Sequence, residues 1–134
     1  MIVKQGAIVK AYKSAMDLNK QKISSGKIAK QIYELVNKLK PTYDFQLQEE
    51  EKIFEEHPNF DIRIGGIRIM NQNDPIEKQQ ANSEAKEIEK ELNDLSNLDV
   101  DLDFDIFDID LEIIPDLKIS GEDIGNLEGF INFN

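Results

Sequence analysis

The first third of the chain carries apolar residues at spacings of three and four, which is the period of an α-helix. One apolar stripe predicts a helix over residues 4–22, and a second stripe predicts a longer helix over residues 26–56. Ser24-Ser25-Gly26 separates them, and a serine there can cap the second helix. The short connection predicts an antiparallel helical hairpin. The two stripes are Ile8, Ala11, Ala15 and Leu18, and Ile28, Ile32, Leu35 and Leu39.

Pro41 lies inside the second predicted helix. A proline in a helix interior removes one backbone donor and clashes with the preceding turn. We therefore expect a kink or a short break at this position. The helix is expected to stop at His57-Pro58-Asn59.

Two further elements are predicted in the middle of the chain. Residues 60–70 alternate apolar and polar side chains around Gly65-Gly66, which predicts a β-hairpin, with a flexible excursion as the alternative. Asp74 can cap a helix and Pro75 suits its first position, so a third helix is expected over residues 75–95.

Residues 98–114 alternate apolar side chains with acids, the pattern of a β-strand that has one polar face. The alternation slips by one position near Asp105–Asp108, and such a slip turns every later side chain to the other face. We expect one long acidic β-ribbon over 98–114, with a β-bulge or a bend near Asp105–Asp108.

These elements predict one α+β domain over residues 1–134. The helical hairpin is expected to pack with the third helix and with a short C-terminal helix over residues 120–131, capped by Ser120. Residues 60–70 and 98–114 are expected to form a small antiparallel β-sheet. The predicted core comprises Ile8, Ala11, Ala15, Leu18, Ile28, Ile32, Leu35, Leu39, Ile88, Leu92, Val100, Leu102, Phe104, Ile109, Leu111, Leu127 and Phe130.

Composition excludes several classes of site. The 134 residues contain no cysteine and one histidine, which excludes disulfides, thiol nucleophiles, cysteine-ligated zinc and two-histidine metal sites. We interpret His57 as a surface loop residue, and we expect no catalytic group, cofactor or metal. No apolar run approaches the roughly 20 residues of a membrane span, and the N-terminus lacks the apolar core of a signal peptide. We therefore expect no membrane contact.

The spacing of acids in the predicted ribbon partly matches that of a calcium-binding loop. Asp101, Asp103, Asp105 and Glu112 fall at loop positions 1, 3, 5 and 12. Position 6, which needs glycine for the turn, is Ile106, and this argues against a calcium site.

The net charge of −11 conceals a division along the chain. Residues 1–40 hold nine lysines against two acids, whereas residues 41–134 hold 25 acids against seven basic residues. Opposite charged faces favour salt-sensitive contacts with a partner or with a second copy of the chain, and ordinary solvated faces are the alternative. The candidate partner-binding residues are Asp99, Asp101, Asp103, Asp105, Asp108 and Asp110 on the ribbon, and Lys10, Lys13 and Lys20 on the first helix.

Two other interpretations of the charged residues stay open. Alternating aspartates on an edge strand resist edge-to-edge aggregation. A line of carboxylates can also imitate nucleic-acid phosphates, as a decoy in a basic groove of a host enzyme. Direct nucleic-acid binding is disfavoured, because residues 4–40 contain no arginine, the preferred residue for bidentate contacts.

Residues 4–56 (KQGAIVKAYKSAMDLNKQKISSGKIAKQIYELVNKLKPTYDFQLQEEEKIFEE) resemble the helical hairpin that opens a group of small, uncharacterised tailed-phage proteins. In that group, a short β segment and a final helix beginning S-x-x-D/E-I/L close the chain. Val100–Ile113 and Ser120-Gly121-Glu122-Asp123-Ile124 stand in those places here, whereas Pro41 and the long Asp-rich ribbon depart from the pattern. The resemblance implies a phage origin and a non-enzymatic role, and it supplies no functional residue.

The leading hypothesis is therefore a phage-type accessory protein-binding module, a virion or assembly component. Its partner would be a phage structural protein or a host protein, and its location the host cytoplasm or the virion. The first alternative is an inhibitor of a host enzyme or defence factor that acts through the acidic ribbon. The second is a metal-dependent carboxylate hydrolase.

Overall fold

A computed structural model describes the backbone of residues 1–57, 60–63, 66–69 and 75–134, and the side chains of residues 1–57 and 82–134. Its helices and strands confirm the α+β class. In chain order they are β1 (Ile2–Lys4), α1 (Gln5–Asn19), α2 (Gly26–Glu55), β2 (Phe60–Arg63), β3 (Gly66–Ile69), α3 (Pro75–Ser96), β4 (Asp99–Asp101), β5 (Phe107–Ile109), α4 (Gly121–Leu127) and β6 (Ile131–Phe133).

The helices α1 and α2 form the predicted hairpin. The Oγ atom of Ser25 accepts a hydrogen bond from the backbone N–H of Ile28 at 3.3 Å, which confirms the predicted cap of α2. The apolar stripe of α1 is fully buried, and its two alanines let neighbouring elements approach closely. The fully buried residues of this stripe are Ile8, Ala11, Ala15 and Leu18.

The predicted break at Pro41 is wrong, because α2 continues through this residue for 30 residues in all. Contacts with α1 hold the turns that follow the proline. The Tyr43 ring stacks on Tyr12 with centroids 4.3 Å apart, and Gln5 Nε2 donates to Gln46 Oε1 at 3.3 Å. These tertiary contacts offset the cost of a helix-internal proline, which is about 3 kcal/mol.

The strands pair differently from the single small antiparallel sheet that the sequence predicts. They form three two-stranded sheets: β1 with β4 and β2 with β3 are antiparallel, and β5 with β6 is parallel. The β2–β3 pair confirms the hairpin predicted over 60–70. Its turn at residues 64–65 and the predicted cap Asp74 lie outside the described residues.

The acidic ribbon is not continuous, which corrects the prediction of one bulged strand. Residues 102–106 separate β4 from β5, and these two strands belong to different sheets. The break accommodates the slip in the alternation. Leu102 of the first alternating run and Ile109 of the second are both buried, although they have opposite phase. A chain that leaves the sheet can turn either set of apolar side chains to the core.

The C-terminal helix is shorter than predicted, and a strand follows it. Its cap is confirmed, because Ser120 Oγ accepts from the backbone N–H of Asp123 at 3.0 Å. The helix ends at Leu127, and Gly129 adopts φ of +91°, a conformation that L side chains rarely adopt. This residue redirects the chain into β6. Parallel strands need a crossover connection, and the segment that contains α4 provides it between β5 and β6.

The predicted core is confirmed in most positions. Every predicted member is buried except Leu92, Val100, Phe104 and Leu111, which are half-buried. The structure adds buried residues at the flanks of the helical stripes and in the C-terminal segment, namely Tyr12, Val36, Leu95, Ile114 and Ile131.

The start of α1 lies against the end of α3 at Gly6. A Cβ atom at this position would lie 3.0 Å from Ser96 Cβ and 3.3 Å from the Ser96 carbonyl oxygen. Gly125 in α4 is a matched comparison, since a Cβ atom there would meet nothing within 4 Å.

We expect Gly6→Ala to destabilise the protein by about 1–3 kcal/mol, because the added methyl group overpacks the contact with Ser96. Gly125→Ala should stabilise it by up to about 1 kcal/mol, since alanine favours the helix and has room. Urea unfolding monitored by circular dichroism measures both changes. A Gly6→Ala variant as stable as Gly125→Ala would contradict the close approach of α1 and α3.

Candidate protein-binding surface

The first two candidate aspartates are used within the fold. Asp99 and Asp101 lie on β4, opposite Lys4 and Ile2 of β1. The Asp99 carboxylate lies 2.6 Å from Lys4 Nζ, and the Asp101 carboxylate lies 3.7 Å from the Met1 ammonium group. These pairs reinforce the β1–β4 sheet, so the two carboxylates are partly neutralised.

The next two candidates lie together on the connection between β4 and β5. Asp103 and Asp105 are exposed and line one groove, with Gln31 and Lys38 of α2 on its other wall. Neither carboxylate forms an ion pair or a hydrogen bond with the residues that the structure describes. They therefore present negative charge to solvent.

Ile106 forms a ridge beside these two aspartates. Its side chain is 48% exposed, and it lines both the acidic groove and a second groove of about 510 Å³ on its other side. Met1 and Ile2, exposed by 40% and 73%, line the second groove together with Phe130. We call Asp103, Asp105, Ile106 and the second groove the Ile106 surface; Asp108 lines a separate groove with Ile124 and Ile131.

An open strand edge borders this surface. Two backbone hydrogen bonds flank the β1–β4 pair: the N–H of Leu102 donates to the C=O of Met1, and the N–H of Gln5 donates to the C=O of Leu98. In an antiparallel pair every second residue bonds to the neighbouring strand, so Val3 is the residue of β1 that bonds to β4. The N–H and C=O groups of Ile2 and the N–H of Lys4 therefore point away from β4, whereas the C=O of Lys4, the N-cap of α1, accepts the first hydrogen bond of that helix. Within the described part of the chain, β1 pairs with β4 alone.

The remaining candidates are dispersed. Asp108 is exposed on β5, whereas Asp110 is half-buried and accepts a hydrogen bond from the backbone N–H of Glu112 at 3.0 Å. Lys10 lines the second groove together with Ile106. Lys13 is exposed on α1, Lys20 is exposed directly after its end, and both line none of the grooves described above.

Ile106, Met1 and Ile2 are not among the candidates that the sequence predicts. The sequence does mark Ile106, because Ile106 and Phe107 are two adjacent apolar residues at the slip in the alternation. Neighbouring residues on an extended chain point to opposite sides, so one of the two must leave the core. In the structure Phe107 is half-buried and Ile106 is exposed.

His57 lies in the loop after α2, as predicted, but its side chain is not at the surface. Its side chain is only 13% exposed, and its Nδ1 lies 2.5 Å from Glu84 Oε1 of α3. Its Nε2 lies 3.9 Å from Glu91 Oε2. Sequence reasoning could not find this cluster, because Glu84 and Glu91 are distant along the chain and carry no distinctive pattern.

No protein-family model, curated protein or solved structure matches this chain. Among the helices that the structure describes, none combines the length and the hydropathy required to cross a membrane. The features of the molecule that bear on function are therefore those of the Ile106 surface.

We expect the triple variant Asp103→Asn, Asp105→Asn, Asp108→Asn to be as stable as the parent or more stable at low salt. These carboxylates are exposed, and neutralising them reduces repulsion in an acidic chain. Thermal unfolding at low and high salt measures the effect. Asp17→Asn, Asp94→Asn, Asp116→Asn is the matched control, because it removes the same charge from exposed sites elsewhere. A clear loss of stability in the first triple variant but not in the control would show that these aspartates stabilise the fold, and would contradict the expectation that they serve only to bind a partner.

Proposed function

We propose that this protein is a non-enzymatic, phage-type accessory module that binds a partner protein through the Ile106 surface. One observation carries the proposal: a half-exposed isoleucine lies between two grooves and is flanked by carboxylates without cationic partners among the described residues. An apolar anchor within a polar rim is the usual organisation of a protein-binding site.

The chemistry of the surface specifies the partner. The exposed carboxylates of Asp103 and Asp105 favour a basic partner segment, and complementary charge accelerates association. The second groove offers the exposed side chains of Met1 and Ile2 to an apolar side chain of that segment. Because the groove follows the open edge of β1, the segment that fits best is extended and adds to this edge by backbone hydrogen bonds.

The resemblance of the chain to small tailed-phage proteins supports a phage context, with the host cytoplasm or the virion as its location. Within this context the partner is a phage structural protein in the accessory-module hypothesis and a host enzyme in the inhibitor hypothesis. The separation of the six aspartates between two sheets and a loop favours the first, because a phosphate decoy needs a regular line of charge.

The identity of the partner is tested by affinity purification of the tagged protein from phage-infected cells at low and high salt, with mass spectrometry. A phage structural protein that is lost at high salt supports the module. A host nucleic-acid enzyme that nucleic acid displaces from the protein supports the inhibitor instead. Salt-dependent dimerisation of the purified protein would identify a second copy as the partner.

With the partner purified, we expect Ile106→Ser to weaken binding by about 3- to 10-fold, because full burial of an isoleucine contributes about 1.5–3 kcal/mol and the partner covers only the 48% of Ile106 that is exposed. The variant Asp103→Asn, Asp105→Asn, Asp108→Asn should weaken it by about tenfold at low salt and less at high salt. Isothermal titration calorimetry measures both affinities.

The matched controls are Ile113→Ser, which alters another exposed isoleucine, and the Asp17, Asp94, Asp116 triple variant. Both should bind as the parent does. Equal losses in the test variants and in their controls would show that net charge or general hydrophobicity, not the Ile106 surface, accounts for the binding.

A further inference from the structure

The end of α2 and the facing side of α3 bring four ionisable side chains together. Glu56 and His57 follow α2, and Glu84 and Glu91 lie on α3. One ligand atom from each of Glu56, His57 and Glu91 lies within 4.8 Å of the other two. The cluster is separate from the Ile106 surface and has no role in the function proposed above.

We propose that Glu56, His57 and Glu91 form a binding site for a divalent transition-metal ion such as Zn²⁺. The imidazole Nε2 and one carboxylate oxygen from each glutamate supply three ligands, and water supplies the fourth. One nitrogen and two oxygen donors suit a tetrahedral zinc ion. Calcium and magnesium, which prefer all-oxygen ligands, are poorer occupants.

Glu84 orients the His57 ring for metal binding. Its carboxylate oxygen lies 2.5 Å from Nδ1, and because an ionised carboxylate only accepts, Nδ1 donates this hydrogen bond and Nε2 is the ring nitrogen that a metal ion would bind. Metal-binding histidines usually carry such a carboxylate on the other ring nitrogen, where it fixes the tautomer and the orientation. Glu84 is therefore a positioning residue, not a ligand.

The three ligand atoms lie within 4.8 Å of one another and must approach further to bind one ion. Metal–ligand bonds of about 2.1 Å at tetrahedral angles place two ligand atoms about 3.4 Å apart. His57 Nε2 and Glu91 Oε2 are 3.9 Å apart, so about half an ångström closes the pair. Glu56 and Glu91 are exposed and can rotate, whereas His57 is the largely buried member.

Local charge also favours a cation. Three carboxylates lie around one imidazole ring. The lysine one turn before Glu56 is engaged elsewhere: Lys52 Nζ lies 2.9 Å from Glu49, and this hydrogen bond raises the pKa of Lys52 above its usual value. A divalent ion would offset the negative charge and join α2 to α3. In the described part of α3, only Ile88 and Leu95 are buried. The apolar contact of this helix with the rest of the protein is therefore small, and a metal ion shared with α2 would strengthen its attachment.

The test uses the full chain after tag removal, because a histidine tag binds the same metals. The protein has one histidine, so its imidazole signals in NMR spectra report His57 alone. We expect one Zn²⁺ per chain by calorimetry, a shift of these signals at one equivalent, and a higher melting temperature. Mg²⁺ at the same concentration should cause none of these changes.

Variants identify the ligands. Glu91→Gln should weaken Zn²⁺ binding by more than 100-fold, and Glu84→Gln by about 10- to 100-fold, since loss of an orienting partner has this effect. Glu87→Gln, which changes an exposed glutamate one turn before Glu91, is the matched control and should bind Zn²⁺ as the parent does.

Two results would overturn the site. The first is no shift of the imidazole signals with Zn²⁺. The second is equal weakening of binding in Glu91→Gln and Glu87→Gln, which would assign the ion to the acidic surface in general. Glu91 and Glu87 are exposed, so these outcomes do not depend on a buried substitution.

Discussion

The packing of α1 against its neighbours is the interaction on which the rest of the structure depends. Its buried stripe contacts α2, and its other buried positions reach α4, where Asn126 Nδ2 donates to Ser14 Oγ at 3.1 Å. The chain enters α1 directly from β1, and β1 orders β4 by antiparallel pairing. The position of the acidic segment, and therefore of the Ile106 surface, follows from where α1 begins.

The elements that sequence predicted correctly are those whose pattern is local. The stripes Ile8 to Leu18 and Ile28 to Leu39 repeat with the helical period, and the caps Ser25 and Ser120 depend on the next three residues alone. Such patterns determine an element before its neighbours are known. The hairpin of 60–70 belongs to the same class.

The wrong predictions depend on contacts that are distant in sequence. β1 has three residues and exists because Val3 lies opposite Val100, and β6 exists because Ile131 lies opposite Phe107. A strand of three residues has no detectable period of its own. The break predicted at Pro41 is wrong for the same reason, since Tyr12 and Gln5 on another helix maintain α2 beyond it. Tertiary contacts can override a local preference of a few kcal/mol.

The break in the acidic alternation joins the fold to the proposed function. A regular strand over 98–114 would place Ile106 and Phe107 on opposite faces, with the carboxylates before the slip about 6.6 Å apart on one side and those after it on the other. The chain instead leaves the sheet after Asp101, buries Leu102 and later Ile109, and exposes Ile106 between Asp105 and the groove beside β1. Leaving Ile106 48% exposed forgoes about half of the roughly 1.5–3 kcal/mol that full burial of an isoleucine contributes, and a partner that covers the side chain recovers this free energy. This is the physical reason to place the interface at Ile106 and not along the whole acidic segment.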